Sequence, residues 1–401
     1  MTLPYFSVTP SHTGTVRERG PSSQHRPVGS PSDPTLREGE RIMAICNACR
    51  YCEGYCAVFP AMEKRQTFPV GDLRYLANLC HDCGECYYAC QYSPPHEFNV
   101  NVPKSFAEIR ARTYRQYAWP APLAAMFARN GLAVSLVLAL MLVLALSAAT
   151  LVLGKDLVAA TPDPAGDFYR FMPHRVMAGV LGGVFLFVAL ALAMGFIRFW
   201  RDMGESLSEF TRPDALRRAL GDVLTLKYLH GKGAGCTYPD ERRSQARRWF
   251  HHLTFYGFAL CFAATVVGTI YHYAFGWKAP YGYLSLPVVL GTSGGVGLLI
   301  GPAGLLWLKL RSDPQTSDPG QLGMDVAFIA LLFATSLSGL ALLALRDSSV
   351  CGLLLVVHLG VVSALFLTLP YGKAVHGIYR SAALVRCALE KSQPMPDAGL
   401  D

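Results

Sequence analysis

Residues 131–154 read GLAVSLVLALMLVLALSAATLVLG, twenty-four residues without a single Asp, Glu, Lys or Arg. A helix needs about 20 apolar residues to cross the ~30 Å hydrocarbon core of a bilayer, so this stretch predicts a membrane span. Five more runs pass the same test: 176–197, 253–271, 287–308, 326–345 and 350–370. Across all six the lone ionisable side chain is His358. The composition agrees. The 401 residues are 52% hydrophobic and only 16% charged, against roughly 25% charged in soluble chains, and the mean hydropathy is +0.27.

Orientation follows from the basic residues, because Lys- and Arg-rich connections resist translocation. Eleven Lys and Arg lie between Arg198 and Arg248, whereas the loops one span away carry Lys155, Arg170 and Lys278. Lys309, Arg311, Lys373 and Arg380 fall on the side of the long basic loop. The expectation is a multi-pass protein of the inner (cytoplasmic) membrane with both termini in the cytoplasm. The five tryptophans, Trp119, Trp200, Trp249, Trp277 and Trp307, flank the runs, as an interfacial belt requires. The net charge of +8 thus reports orientation, and nucleic acid is not expected as a partner.

Ahead of the spans, residues 1–40 are rich in Ser, Pro, Thr, Gly and Arg and predict a disordered tail. Residues 41–112 form a cysteine-rich domain, 113–130 a Pro-broken linker, 131–380 the six-span domain and 381–401 a C-terminal tail. The predicted fold class is mainly α: a six-helix transmembrane bundle preceded by a small cytoplasmic dicluster ferredoxin-like domain.

Cys46, Cys49, Cys52 and Cys56 have the spacing C-x2-C-x2-C-x3-C, and Cys80, Cys83, Cys86 and Cys90 repeat it. A disulfide reading needs an oxidising compartment, and four cysteines within eleven residues are too crowded to choose separate partners. Zinc usually takes two separated pairs. The repeated run is the spacing that holds [4Fe–4S] clusters in ferredoxins, where the fourth Cys crosses to the other cluster. Crossing would group Cys46, Cys49, Cys52 and Cys90 in one set and Cys80, Cys83, Cys86 and Cys56 in the other. The flanks depart from the usual pattern, since Ala57 follows Cys56 and Gln91 follows Cys90. Cubanes with every corner taken carry electrons and offer no open substrate position. Of the other cysteines, Cys261, Cys351 and Cys387 read as small apolar residues, while Cys236 stands apart in the basic loop.

The membrane half also holds His174, His251, His252, His272, His358 and His376. Ionisable groups in a bilayer mark function, and histidines without carboxylates in the spans suit axial positions of haem iron better than a transport path. His358 and His376 are 18 residues apart (376 − 358), five helical turns or about 27 Å, which would place them on one face of one helix. An inner level would join His376 to His251 or His252, and an outer level His358 to His272, with His174 as a competing outer ligand. The competing reading has interfacial histidines bonding headgroups or loop carbonyls. Spacing leaves one haem or two.

The runs CNACRYCEGYC (46–56) and CHDCGECYYAC (80–90), with RRWFHHLTFYGFALCFAATVVGTIYHY (247–273) and LGTSGGVGLLIGPAGLLWLKLR (290–311), resemble the tricarballylate utilisation protein B family, also called citrate utilisation protein B. The resemblance covers roughly residues 40–385. It implies an electron-transfer subunit that reoxidises an FAD-dependent tricarballylate dehydrogenase. Two [4Fe–4S] clusters on the eight cysteines and b-type haem would pass the electrons to membrane quinone. The alternative from a different class is a tricarboxylate transporter with an iron–sulfur regulatory domain, which would need cationic or polar groups in mid-membrane.

Overall fold

The computed structural model describes residues 32–153, 157–158, 168–231 and 234–392. Most of the two expected tails, 1–31 and 393–401, lies outside the described residues. The parts that are described are not tails. Helix α1 (Pro34–Cys49) starts with Pro34 at its first position and Asp33 as cap, whose side chain accepts from Thr35 N at 2.9 Å. It ends inside the first cysteine run, where Arg50 is left-handed (φ 55°) and its N–H returns to the Cys46 carbonyl.

Helices α2 (Val58–Met62), α3 (Val70–Leu79), α4 (Glu85–Tyr88) and α5 (Val102–Tyr117) complete the cysteine domain. Asn101 caps α5 by accepting from Lys104 N at 3.1 Å. The expected linker at 113–130 is therefore mostly helix, since α5 runs to Tyr117 and α6 spans Ala121–Arg129. Pro120 and Pro122 do not break a helix here; they sit at the start of one, where the missing N–H costs nothing.

The bundle follows as α7 (Gly131–Val152), α8 (His174–Asp202), a short α9 (Pro213–Leu224), a ribbon of β1 (Cys236–Thr237) antiparallel to β2 (Arg243–Ser244), then α10 (Ala246–Phe275), α11 (Leu286–Leu310), α12 (Leu322–Ala344) and α13 (Cys351–Thr368). Six of these, α7, α8, α10, α11, α12 and α13, are long and apolar enough to cross a membrane. Their outward faces bear large apolar side chains such as Leu136, Val137, Leu140, Phe185, Leu186 and Leu190, as lipid contact demands.

Several helices outrun the apolar stretches that announce them, and charge enters at their ends: Arg247 on α10, Lys309 on α11, Asp325 on α12. Asp325 is buried between Lys309 (3.1 Å) and Lys373 (3.0 Å), so the expectation of helices free of acidic residues fails at this end turn. Arg175 and Arg346 add two cations to the end away from the cysteine domain. Helices α10 and α11 approach closely on small residues. A Cβ on Gly257 would lie 2.9 Å from the Gly294 carbonyl oxygen, and one on Gly294 only 2.7 Å from that of Gly257.

The last helix, α14 (Val375–Lys391), corrects a second expectation. His358 and His376 do not share a helix, because α13 stops at Thr368. Pro370 has no N–H to send to Phe366, and the Thr368 carbonyl instead accepts from Tyr371 (3.1 Å) and Gly372 (3.0 Å). The turn lets α14 swing back against the cysteine domain. One apolar core then unites Leu73, Leu76, Phe106 and Ile109 with Phe199 and Trp200 of α8 and Val375, Tyr379 and Ala383 of α14. Beside it runs a polar seam: Arg65 to Asp72 (3.1 Å) and Glu390 (2.5 Å), and Arg386 to Asp72 (2.7 Å).

Candidate metal centres

The cysteines arrive at their positions by local folding. Cys46 and Cys49 lie on the last turn of α1, Cys52 and Cys56 in the reversal that follows, and Cys80 caps the C-terminus of α3. Cys86 is on α4, with Cys83 and Cys90 on either side of it. Gly84 makes the turn between them at φ 78°, and a Cβ there would also press to 2.8 Å against the Thr237 carbonyl oxygen.

The eight thiols divide between two recesses. One, a cavity of about 230 Å³, is lined by Cys46, Cys49, Cys52 and Cys90, with Cys86 at its edge. A narrower cleft is lined by Cys56, Cys80, Cys83 and Cys86. Each recess thus gathers three thiols of one run and the last thiol of the other. Burial, then repulsion from Cys90, Cys52 and Cys49, pushes the Cys46 thiol up to about 12. Burial, then Cys90 and Cys49, does the same to Cys52, and burial raises Cys56 and Cys86 well above the ordinary thiol value. Four crowded thiols that cannot ionise alone are a donor set for a strongly cationic centre, whose binding releases the protons. The residues fit a four-cornered iron–sulfur group in each recess.

The second cysteine run is fastened to the bundle from several sides. Arg110 of α5 donates to the carbonyls of Ala77 (3.1 Å) and Cys80 (2.9 Å). Arg247 of α10 donates to those of His81 (2.9 Å) and Asp82 (2.5 Å), and Arg380 of α14 to that of Cys80. The ribbon closes over the same loop, with Thr237 Oγ1 donating to the Cys83 carbonyl at 3.3 Å and Arg243 paired with Glu85 at 2.7 Å.

Four residues beyond Arg247 comes His251, and four residues before Arg380 comes His376. Their rings face each other with centres 6.0 Å apart and planes at 79°. Imidazole nitrogens bind first-row metals at about 2.0–2.1 Å, so two trans imidazoles place their ring centres about 6 Å apart. His376 Nδ1–H donates to the Lys373 carbonyl at 2.6 Å, which leaves Nε2 as its free ligand atom. His251 Nδ1 is buried and has no hydrogen-bond partner among the described residues. Burial, then His251 and Arg380, pulls His376 well below the ordinary imidazole range, so it stays neutral as a ligand must. His252 turns away and stacks on Tyr256 at 5.7 Å. This inner pair fits haem iron.

The other histidines are placed differently. His174 and His272 stack face to face with centres 3.7 Å apart, too close for a metal ion between the rings. His358 Nδ1 meets Ser338 Oγ at 3.0 Å, and among the described residues no ring contact joins His358 to His272. One group has no signal in any linear motif: His81, Cys83 and Cys236, all buried, hold their ligand atoms within 4.8 Å of one another. Cys236 comes from the basic loop 153 residues after Cys83 (236 − 83), so only the folded ribbon reveals the grouping.

A ferredoxin-like cysteine domain fused to six membrane-crossing helices defines a multi-pass membrane protein with a metal-binding electron-carrier module. Residues 127–397 match the family model described as "Citrate utilization protein B", and residues 39–116 match "Citrate utilization protein B Fer4-like domain". The chain belongs to the citrate utilization protein B family. It is 53% identical over 355 residues to an Escherichia coli protein described as "Citrate utilization protein B", covering 88% of this chain and 92% of that one. No solved structure matches.

Proposed function

We propose that the chain carries electrons from a reduced FAD-dependent tricarballylate dehydrogenase to membrane quinone and so supports tricarballylate or citrate utilisation. Two [4Fe–4S] clusters and b-type haem would supply one-electron carriers between the two-electron chemistries of flavin and quinone. Cys46, Cys49, Cys52 and Cys90 hold one cluster; Cys56, Cys80, Cys83 and Cys86 hold the other. His251 and His376 are the haem's axial ligands, with the Lys373 carbonyl fixing the tautomer of His376. The cysteine domain and both termini face the cytoplasm, where the soluble flavoprotein docks.

The observation that carries this reading is the bond from Arg247 to the His81 carbonyl, together with that from Arg380 to the Cys80 carbonyl. The helices that present the histidine pair are the ones that grip the second cysteine loop. A shared anchorage of this kind keeps two centres at a constant separation.

Quantifying iron, sulfide and haem on the purified full-length chain tests the proposal, with a reduced-minus-oxidised spectrum of the same membranes. Iron and sulfide for two cubanes together with a haem α band is the expected result. A spectrum without that band overturns the proposal, and uptake of labelled citrate by vesicles containing this protein alone would point to a transporter instead.

A further inference from the structure

The charges around the two cysteine runs are not alike. The first run carries Arg50 and Glu53, one of each sign and both exposed. Around the second run stand two carboxylates and four guanidinium groups. Asp82 is offset by Arg110 at 3.6 Å and Glu85 by Arg243 at 2.7 Å. Arg247 and Arg380 remain, and among the described residues neither has a carboxylate at salt-bridge distance. Their hydrogen bonds go to the carbonyls of His81, Asp82 and Cys80, and Arg247 also lies over the Tyr238 ring at 4.4 Å. Arg380 Nε is buried without a partner. Burial, then Arg110 beside it, pulls Arg380 down to about 10, which leaves it protonated at neutral pH.

Two partly buried cations without a counter-ion, pressed near a third, are a costly arrangement. The cost is offset where an anion occupies the adjoining cleft. A cubane held by four thiolates is such an anion, and it gains one further negative charge on reduction. Resting on the function proposed above, we infer that Arg247 and Arg380 are the counter-cations of the cluster held by Cys56, Cys80, Cys83 and Cys86. They favour its reduced form and set its potential above that of the cluster held by Cys46, Cys49, Cys52 and Cys90. The electron then moves downhill from the outer recess toward the cleft beside His251 and His376. The reduced cluster there passes the same electron onward and returns to its oxidised charge, so no further reductant or proton is required. Both arginines are positioning residues, because they touch loop carbonyls and not the reacting atoms.

Potentiometric titration of the purified full-length chain, followed by electron paramagnetic resonance of both clusters, is the test. The unaltered chain should show two separated midpoints. In Arg247→Gln and in Arg380→Gln the higher midpoint should fall while the lower one stays in place, with iron content unchanged. Arg247→Lys and Arg380→Lys, which keep the charge, should restore most of the shift. If Arg380→Gln loses iron, Arg247→Gln against Arg247→Lys decides the matter through the same midpoint. Midpoints that ignore both Gln variants, or that fall together, overturn the assignment but leave the proposed function standing. A chain without two cluster signals overturns both.

Discussion

His251 of α10 and His376 of α14 meet edge to face with ring centres 6.0 Å apart, although 125 residues separate them in sequence (376 − 251). Neither residue lies in the middle of an apolar run. Each is brought to the other by a helix that continues past its neighbour's apolar stretch or turns back after Pro370. The pair is the joint between the cysteine domain and the bundle.

If the pair holds haem, His376→Ala and His251→Ala should each remove it, whereas His252→Ala should leave it in place, because His252 stacks on Tyr256 instead. Haem extracted from equal amounts of purified protein provides the measure. Equal loss in His251→Ala and His252→Ala would refute the assignment of one face of α10.

Cys83→Ala should remove the iron of one cubane and leave the haem spectrum intact. Reduced flavoprotein should then no longer reduce the haem, while dithionite still does. Continued reduction by the flavoprotein at the unaltered rate would mean that electrons bypass the second cysteine run.

Arg65 is buried and paired with Asp72 and Glu390, which ties the cysteine domain to α14. Removing one partner of a buried ion network strands the others, at a cost of about 3–5 kcal/mol. Arg65→Ala should therefore lower the thermal midpoint of the detergent-solubilised chain and expose the 64–65 region to protease. An unchanged melt would show that the apolar core alone docks α14.

Gly257→Leu should disturb the α10 and α11 contact, since even a Cβ there meets a carbonyl oxygen at 2.9 Å. Overpacking of this kind costs about 1–3 kcal/mol. Because His251 rides on α10 two turns earlier, haem retention should weaken with stability, and a heat-inactivation series on membranes would record both. A variant as stable as the parent would show that the helices can part at no cost.

The thiols make the iron-free chain sensitive to alkali. Cys46 and Cys52 are raised from 9.0 to about 12 in the folded chain by burial and by their neighbours. A raised group contributes stability that is complete below its unfolded value, 9.0 here, and is lost as pH climbs through the folded value. Iron-depleted protein should lose structure progressively from about pH 9 upward. The loaded protein, whose thiolates are already ligands, should not. Circular dichroism across that range, with and without iron, distinguishes the two.

Much of this architecture is legible in the linear order of residues. The six spans are local, since a long apolar run can satisfy its backbone in a bilayer only as a helix. The helical limits differ from the apolar limits by a few residues because a helix continues until its ends are capped, whatever the polarity of its last turns. The doubled cysteine spacing is equally local, and it is enough to imply a ferredoxin-like module.

The choice of His251 over His252 was not legible. Adjacent residues on a helix point about 100° apart, and only the position of α14 says which direction matters. The outer histidines show the reverse case. His272 and His358 match well by level along their helices, yet His272 stacks on His174 and His358 rests on Ser338. Helix rotation and neighbour choice are set by side-chain packing between helices, which residue spacing within one helix does not encode.

Sequence by itself determined the membrane crossings and the eight thiols in two equivalent runs, because both depend on residues close together in the chain. Tertiary structure alone decided that α14 folds back into the cysteine domain's core and that Arg247 and Arg380 converge on one cysteine loop. It also decided which imidazoles face each other. These are contacts between elements 100 or more residues apart (247 − 81 and 380 − 80), and their energy comes from burial and charge that exist only once the helices have packed.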